Sequence, residues 1–231
     1  MAETITGPRL DPKSGQAKQL VVFLHGYGAD GKDLIEIGRQ WRTWLPDAAF
    51  VAPNAPEPCA MSPMGRQWFA LSNRRPDDAR GADERWAGVV KARPALDAFL
   101  DAELARLGLD EQRLALVGFS QGTMMALHVG LRRRRAPAAI VGYSGVLIGP
   151  EHLAEATARD AHGAPPPILL VHGDQDAVIP LEALFVSSEE LAKANFPTQW
   201  HLSPGVGHGI DAGGLRHGGL FIAKGFGLKV G

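Results

Sequence analysis

The chain has 231 residues, with 24 Lys and Arg against 25 Asp and Glu and a formal net charge of −1, so its charge provides neither a nucleic-acid surface nor a face for anionic membranes. With 45% hydrophobic and 21% charged residues, it has the composition of a globular protein long enough to bury a core as one domain over residues 1–231. Its single cysteine, Cys59, excludes an intramolecular disulfide and fits a reducing compartment; the start shows no basic and apolar signal-peptide regions, and no apolar run approaches the roughly 18 residues of a membrane span.

Residues 1–18 are polar and broken by Pro8, Pro12 and Gly15, which leaves room for an edge strand at most. Residues 19–24 form a β-rich run closed by His25-Gly-Tyr-Gly28. Leu34, Ile37 and Trp41 then recur on one helical face, and Pro46 stops that helix. Residues 49–52 read as a short buried strand. Residues 57–85 are a long excursion rich in Pro, Gly and Met with Trp68 and Phe69, ending in a polar run from Asn73 to Arg85; loops of that length are often functional. Helical spacing runs from Trp86 to Leu107, with Pro94 expected to kink the helix or mark its start.

Residues 114–117 are a short apolar strand, and Met124, Met125, Leu127, His128 and Leu131 follow at helical spacing. Arg132 to Arg135 read as a solvated last turn that complements the helix dipole. Further strands are expected at 138–143, 168–171 and 198–202, with a helix after Pro180 and a last one in the tail. Short continuous apolar strands alternating with helices imply an α/β fold with a mostly parallel sheet and helices on both faces. The chain shows no internal repeat.

Between the strand at 114–117 and the helix after it lies Gly118-Phe-Ser120-Gln-Gly122. A G-x-S-x-G pattern between a strand and a helix is the context of a nucleophile elbow, with glycines where chain elements press close and a helix N-terminus facing the serine. A serine hydroxyl needs a base, and the base needs an orienting acid. Of the eight histidines, His208 follows a strand between Gly207 and Gly209, on the edge of the sheet where ligands bind in α/β folds. Asp174 and Asp176 share the loop after another strand; Asp176 is further out and can cross toward His208, whereas Asp174 suits a backbone cap. The order Ser120, Asp176, His208 is that of α/β hydrolases. The oxyanion of the tetrahedral intermediate needs N–H donors, which Gln121 and Tyr27 can supply from their backbones.

His25-Gly-Tyr-Gly-Ala-Asp-Gly31, Gly118-Phe-Ser-Gln-Gly122, His172-Gly-Asp-Gln-Asp176 and Gly207-His-Gly209 together resemble the phospholipase/carboxylesterase family of α/β hydrolases, over nearly the whole chain. The resemblance implies ester hydrolysis without cofactor or metal, a cytoplasmic setting, often a homodimer, and Ser120, Asp176 and His208 as triad with Tyr27 and Gln121 as oxyanion donors. It also implies that 57–85 contains a pocket-lining loop with the Trp68-Phe69 pair. Thr123 stands where glycine is commoner, a change expected to be harmless. Met61, Trp68 and Phe69, with Val178 beyond the acid and the apolar run 146–148, are expected to form an acyl groove for short to medium chains.

The leading expectation is therefore a serine carboxylesterase acting on small-molecule esters through an acyl-enzyme. A lysophospholipase or an acyl-protein thioesterase would use the same residues. A dienelactone-hydrolase-like enzyme is disfavoured because the elbow carries serine and not cysteine. An inactive hydrolase fold used as a binding module would usually lack a triad member.

Overall fold

A computed structural model describes residues 5–72, 79–157 and 164–229. Its main sheet has seven strands: β1 (Arg9–Leu10), β2 (Gln19–Leu24), β3 (Ala48–Val51), β6 (Leu114–Phe119), β7 (Ala139–Tyr143), β8 (Ile168–Gly173) and β9 (Thr198–Ser203). Two short strands, β4 (Glu57–Pro58) and β5 (Arg66–Gln67), pair apart from it. The sheet order is β1-β3-β2-β6-β7-β8-β9, antiparallel only at the edge strand β1. Strands β2, β7 and β8 are buried along their whole length, as the continuous apolar runs require of strands covered on both faces.

The twofold alternation of side chains divides the core in two. Leu20, Val22, Leu24, Leu114, Leu116, Ile140, Ile168 and Leu170 point to one side. There they meet residues of α2 (Ala79–Leu107), α3 (Gln121–Gly130), α4 (Leu153–Thr157) and α5 (Glu182–Lys193). Val21, Phe23, Ala115, Val117, Val141, Leu169 and Val171 point to the other. That side is covered by α1 (Lys32–Trp41) and α6 (Ala212–Gly225). Asp211 caps α6 by accepting from the N–H groups of Gly213 and Gly214.

Two local expectations are corrected. Helix α2 begins at Ala79, inside the stretch read as loop, and runs through Pro94 without ending. Its face of Val89, Ala92, Leu96, Phe99, Leu100 and Leu104 is buried, and that burial outweighs the roughly 3 kcal/mol local cost of an internal proline. Residues 73–78 of the polar run lie outside the described residues. The arginine run is not a uniformly solvated turn either, since α3 ends at Gly130 and Arg132 and Arg133 are buried. Arg132 Nη1 donates to the carbonyl of His128 in the last turn of α3, while Arg133 pairs with Asp97, Asp101 and Glu111.

Candidate active site

Every loop singled out for chemistry leaves the same edge of the sheet. The turn at 25–28 follows β2, Ser120 follows β6, the loop of Asp174 and Asp176 follows β8, and His208 lies beyond β9. The register aligns them, with Leu24 beside Gly118 and Gly173 beside Ser203.

Ser120 sits at φ 54 and ψ −116, a conformation that a non-glycine residue adopts only when its surroundings over-determine it. The surroundings here are tight. A Cβ on Gly118 would lie 2.4 Å from the backbone of Gly122, and one on Gly122 would lie 1.8 Å from the carbonyl oxygen of Leu24; these contacts explain both glycines of the motif. The N–H of Ser120 donates to the carbonyl of Tyr143 at 2.9 Å. The hydroxyl of Thr123 donates to that same carbonyl at 2.9 Å, so the threonine ties the elbow to β7.

The candidate acid and the candidate base meet directly. His208 Nδ1 lies 2.8 Å from Asp176 Oδ2. The other carboxylate oxygen, Oδ1, accepts the N–H groups of Val178 and Ile179 at 2.9 Å each. Desolvation pushes the Asp176 carboxyl up, but the bond from His208 and the two backbone donors outweigh it and leave the group below its ordinary value. Asp174 instead accepts the N–H of Gly205 at 2.6 Å, fastening the 203–206 turn that leads to His208. Behind Asp176, His172 Nε2 is 2.9 Å from the carbonyl of Ile179. The His208 ring packs on Phe119, the residue before the serine, at a centroid distance of 4.9 Å. Ser120 and His208 are not hydrogen-bonded to each other, an arrangement common before substrate binds.

The turn after β2 borders the serine, for a Cβ on Gly26 would lie 3.4 Å from Ser120 Cβ. It is a four-residue turn closed by Ala29 N–H to the carbonyl of Gly26 at 3.3 Å, with Gly28 at φ 79. Gly28 N–H and the Ala29 carbonyl bond the backbone of Arg66, so β5 holds the turn from outside. Gln121 opens α3, and a first helical residue has no intrahelical acceptor for its N–H.

Ser120 opens into a cavity of about 330 Å³, lined by Leu71, Met124, Leu147, Ile148, Val178 and Ile179 among others, with Arg85 and Glu151 also on its wall. One wall is pinned to α2 by stacking of Trp86 on His152 at 3.9 Å. The anticipated groove is thus only partly the observed one. Val178 lines the cavity, as do residues 146–148. Trp68 and Phe69 are 1% and 2% exposed and belong to the core, and Met61 is 75% exposed; none of the three lines the cavity. For Trp68 and Phe69 the reason is polar: the side chain of Gln121 accepts the backbone N–H of Trp68 and donates to the carbonyl of Phe69, which holds the segment against the core. Their apolar composition did not reveal that grip; Met124, on the helical face next to Ser120, could have been found from the spacing alone.

The sequence model of the phospholipase/carboxylesterase family matches residues 6–225. The chain belongs to the phospholipase/carboxylesterase family. Its relatives in that family include acyl-protein thioesterase 1 of Gibberella zeae, 27% identical over 87% of this chain and 88% of that protein. Esterase YpfH of Escherichia coli is 29% identical over 84% of this chain and 78% of its own length. The crystal structure of esterase PE8 superposes with a TM-score of 0.87 at 43% identity, covering 96% of this chain and 99% of that one. The family member described here is accordingly a serine hydrolase of the carboxylic-ester-hydrolase type with the α/β-hydrolase fold. Among the described residues no group of three or more His, Cys, Asp or Glu could hold a metal ion, and no helix is long and apolar enough to cross a membrane.

Proposed function

We propose that the protein is a cytoplasmic carboxylesterase that cleaves short- to medium-chain esters through an acyl-enzyme on Ser120. The supporting observation is the 2.8 Å contact of His208 Nδ1 with Asp176 Oδ2 on the edge that carries the strained serine. His208 takes the serine proton as Oγ attacks the ester carbonyl, and Asp176 fixes the tautomer and stabilises the imidazolium. The N–H groups of Tyr27 and Gln121 receive the oxyanion. His208 then gives its proton to the leaving alkoxide, and water repeats the sequence to free the acid. The cavity is at the small end of ligand sites and its apolar lining suits an alkyl chain. The thioesterases among the relatives favour a second reading, cleavage of thioesters by the same residues.

Both readings are tested on one panel: p-nitrophenyl esters from acetyl to dodecanoyl and matched thioesters, with wild type and Ser120→Ala. Turnover should fall at least 10³-fold in the variant, and kcat/KM should peak at a chain longer than acetyl and shorter than dodecanoyl. Retention of a tenth of wild-type kcat by Ser120→Ala would exclude Ser120 as nucleophile. An optimum at acetyl would remove the cavity as acyl site.

A further inference from the structure

The segment 66–69 hydrogen-bonds the candidate oxyanion donor Gln121 and residues on both sides of Tyr27, the other one. The indole N–H of Trp68 donates to the carbonyl of His25 at 3.0 Å. The backbone N–H of Trp68 donates to Gln121 Oε1 at 2.9 Å. Gln121 Nε2 donates to the carbonyl of Phe69 at 2.7 Å. All four residues are buried, His25 and Gln121 completely, so each bond is made away from competing water.

His25 completes the connection. Its Nε2 accepts the backbone N–H of Ala55 at 2.9 Å. An amide N–H can only donate, so Nε2 is the lone-pair nitrogen and the proton sits on Nδ1. Nδ1 is 2.8 Å from the carbonyl oxygen of Gly26, to which it therefore donates. In a trans peptide the C=O and the following N–H lie in one plane and point opposite ways. Holding the Gly26 oxygen therefore aims the N–H of Tyr27 the other way. Burial pushes the His25 imidazole below its ordinary value, which keeps it neutral and this tautomer in place.

We propose that Trp68 and His25 are positioning residues: the Trp68–Phe69 pair is a strut that fixes the two oxyanion donors relative to each other, Gln121 through its side chain and Tyr27 through the His25–Gly26 peptides. The proposal rests on the reading of those two N–H groups given above. It explains why an aromatic pair in a loop should be buried and wedged beneath α2, where a Cβ on Gly88 would meet the Phe69 ring at 2.5 Å. It also accounts for tryptophan at position 68, since phenylalanine supplies an aromatic ring but no N–H.

The experiment compares Trp68→Phe with Trp41→Phe. Trp41 is fully buried in the opposite core and donates its indole N–H to the carbonyl of Leu215 at 3.1 Å, so its variant controls for the loss of a buried indole bond. Losing an oxyanion donor costs about 10²–10³ in kcat, so loosening one should cost about ten-fold. Trp68→Phe should lower kcat by that factor with KM within two-fold. The Ki of an alkylboronic acid, which forms a tetrahedral anion on the serine, should rise in parallel. Trp41→Phe should lower Tm comparably and leave kcat and Ki unchanged. If Trp68→Phe keeps both within two-fold, or Trp41→Phe lowers kcat equally, the strut is refuted. Should Trp68→Phe not fold, the comparison of His25→Asn with His25→Gln decides. Asn retains an N–H near Nδ1 for the Gly26 oxygen, whereas Gln retains only an acceptor near Nε2 for Ala55. The Asn variant should keep at least five-fold more kcat, and equality or the reverse order overturns the proposal. An inactive Ser120→Ala beside an unaffected Trp68→Phe removes the strut and leaves the hydrolase reading; an active Ser120→Ala removes both.

Discussion

Asp176 accepts from three donors at once, the imidazole of His208 and the N–H groups of Val178 and Ile179, while two residues earlier Asp174 serves only the backbone of Gly205 among the described contacts. The two carboxylates should therefore separate in experiment. Asp176→Asn should lower kcat by about 10⁴ because the imidazole loses its proper tautomer and orientation. Asp174→Ala should leave kcat within a few-fold and lower stability by about 1 kcal/mol, the worth of one hydrogen bond. Measured kcat and urea midpoints for both variants check the pair, and a larger kcat loss at Asp174 would reverse the assignment. This contact could be read from the chain because reach is a matter of loop length, and Asp176 stands further from the strand than Asp174. The placing of Trp68, Phe69 and Met61 could not. Hydrophobicity says that such side chains want cover and is silent on which neighbour provides it; for Trp68 and Phe69 that was decided by the amide of Gln121, whose side-chain partners have no signature in sequence spacing, and Met61 stayed exposed.

At the scale of elements, helix α3 is buried from Gln121 to Gly130, so its polar residues have little access to water. His128 stands edge-on to Trp86 at 5.2 Å, and its Nδ1 has no hydrogen-bond partner among the described residues. Burial, with the positive charges of Arg132 and Arg93 nearby, pushes its imidazole down to about 3. The sign follows from proton counting: between that value and the ordinary pKa near 6.5, the unfolded chain holds a proton that the folded chain does not. Stability from this residue is thus intact above pH 6.5 and is lost as pH falls toward 3. His128→Leu should flatten the fall of Tm between pH 6.5 and 4 relative to wild type, as thermal melts at a series of pH values will show. An unchanged slope would mean that His128 is protonated in the fold. The path of α2 through Pro94 belongs to this scale too. A local rule places a boundary there, and the long-range burial of Leu96, Phe99 and Leu100 overrides it. Strand positions were legible for the complementary reason: a strand buried on both faces must be apolar without interruption.

For the molecule as a whole, the sheet separates a working side from a supporting side. The cavity residues Met124, Leu147 and Ile148 belong to the core beneath α2, α3 and α5, whereas Ile222 and Ala223 of α6 and Trp41 of α1 belong to the other core. Truncating Ile222 to Ala should cost about 3 kcal/mol of stability, as deletion of a fully buried side chain does, and leave kcat/KM within two-fold. A large change in kcat/KM with chain folding intact would show that the two cores are coupled through the sheet. The same division has a practical side. Gln40 near the end of α1 and Lys224 near the end of α6 are exposed on the supporting side, and the chain's sole cysteine, Cys59, is buried. A cysteine introduced at position 40 would be the thiol that a bulky maleimide reaches, so the protein can be tethered to a bead or electrode with its cavity facing outward into the substrate stream.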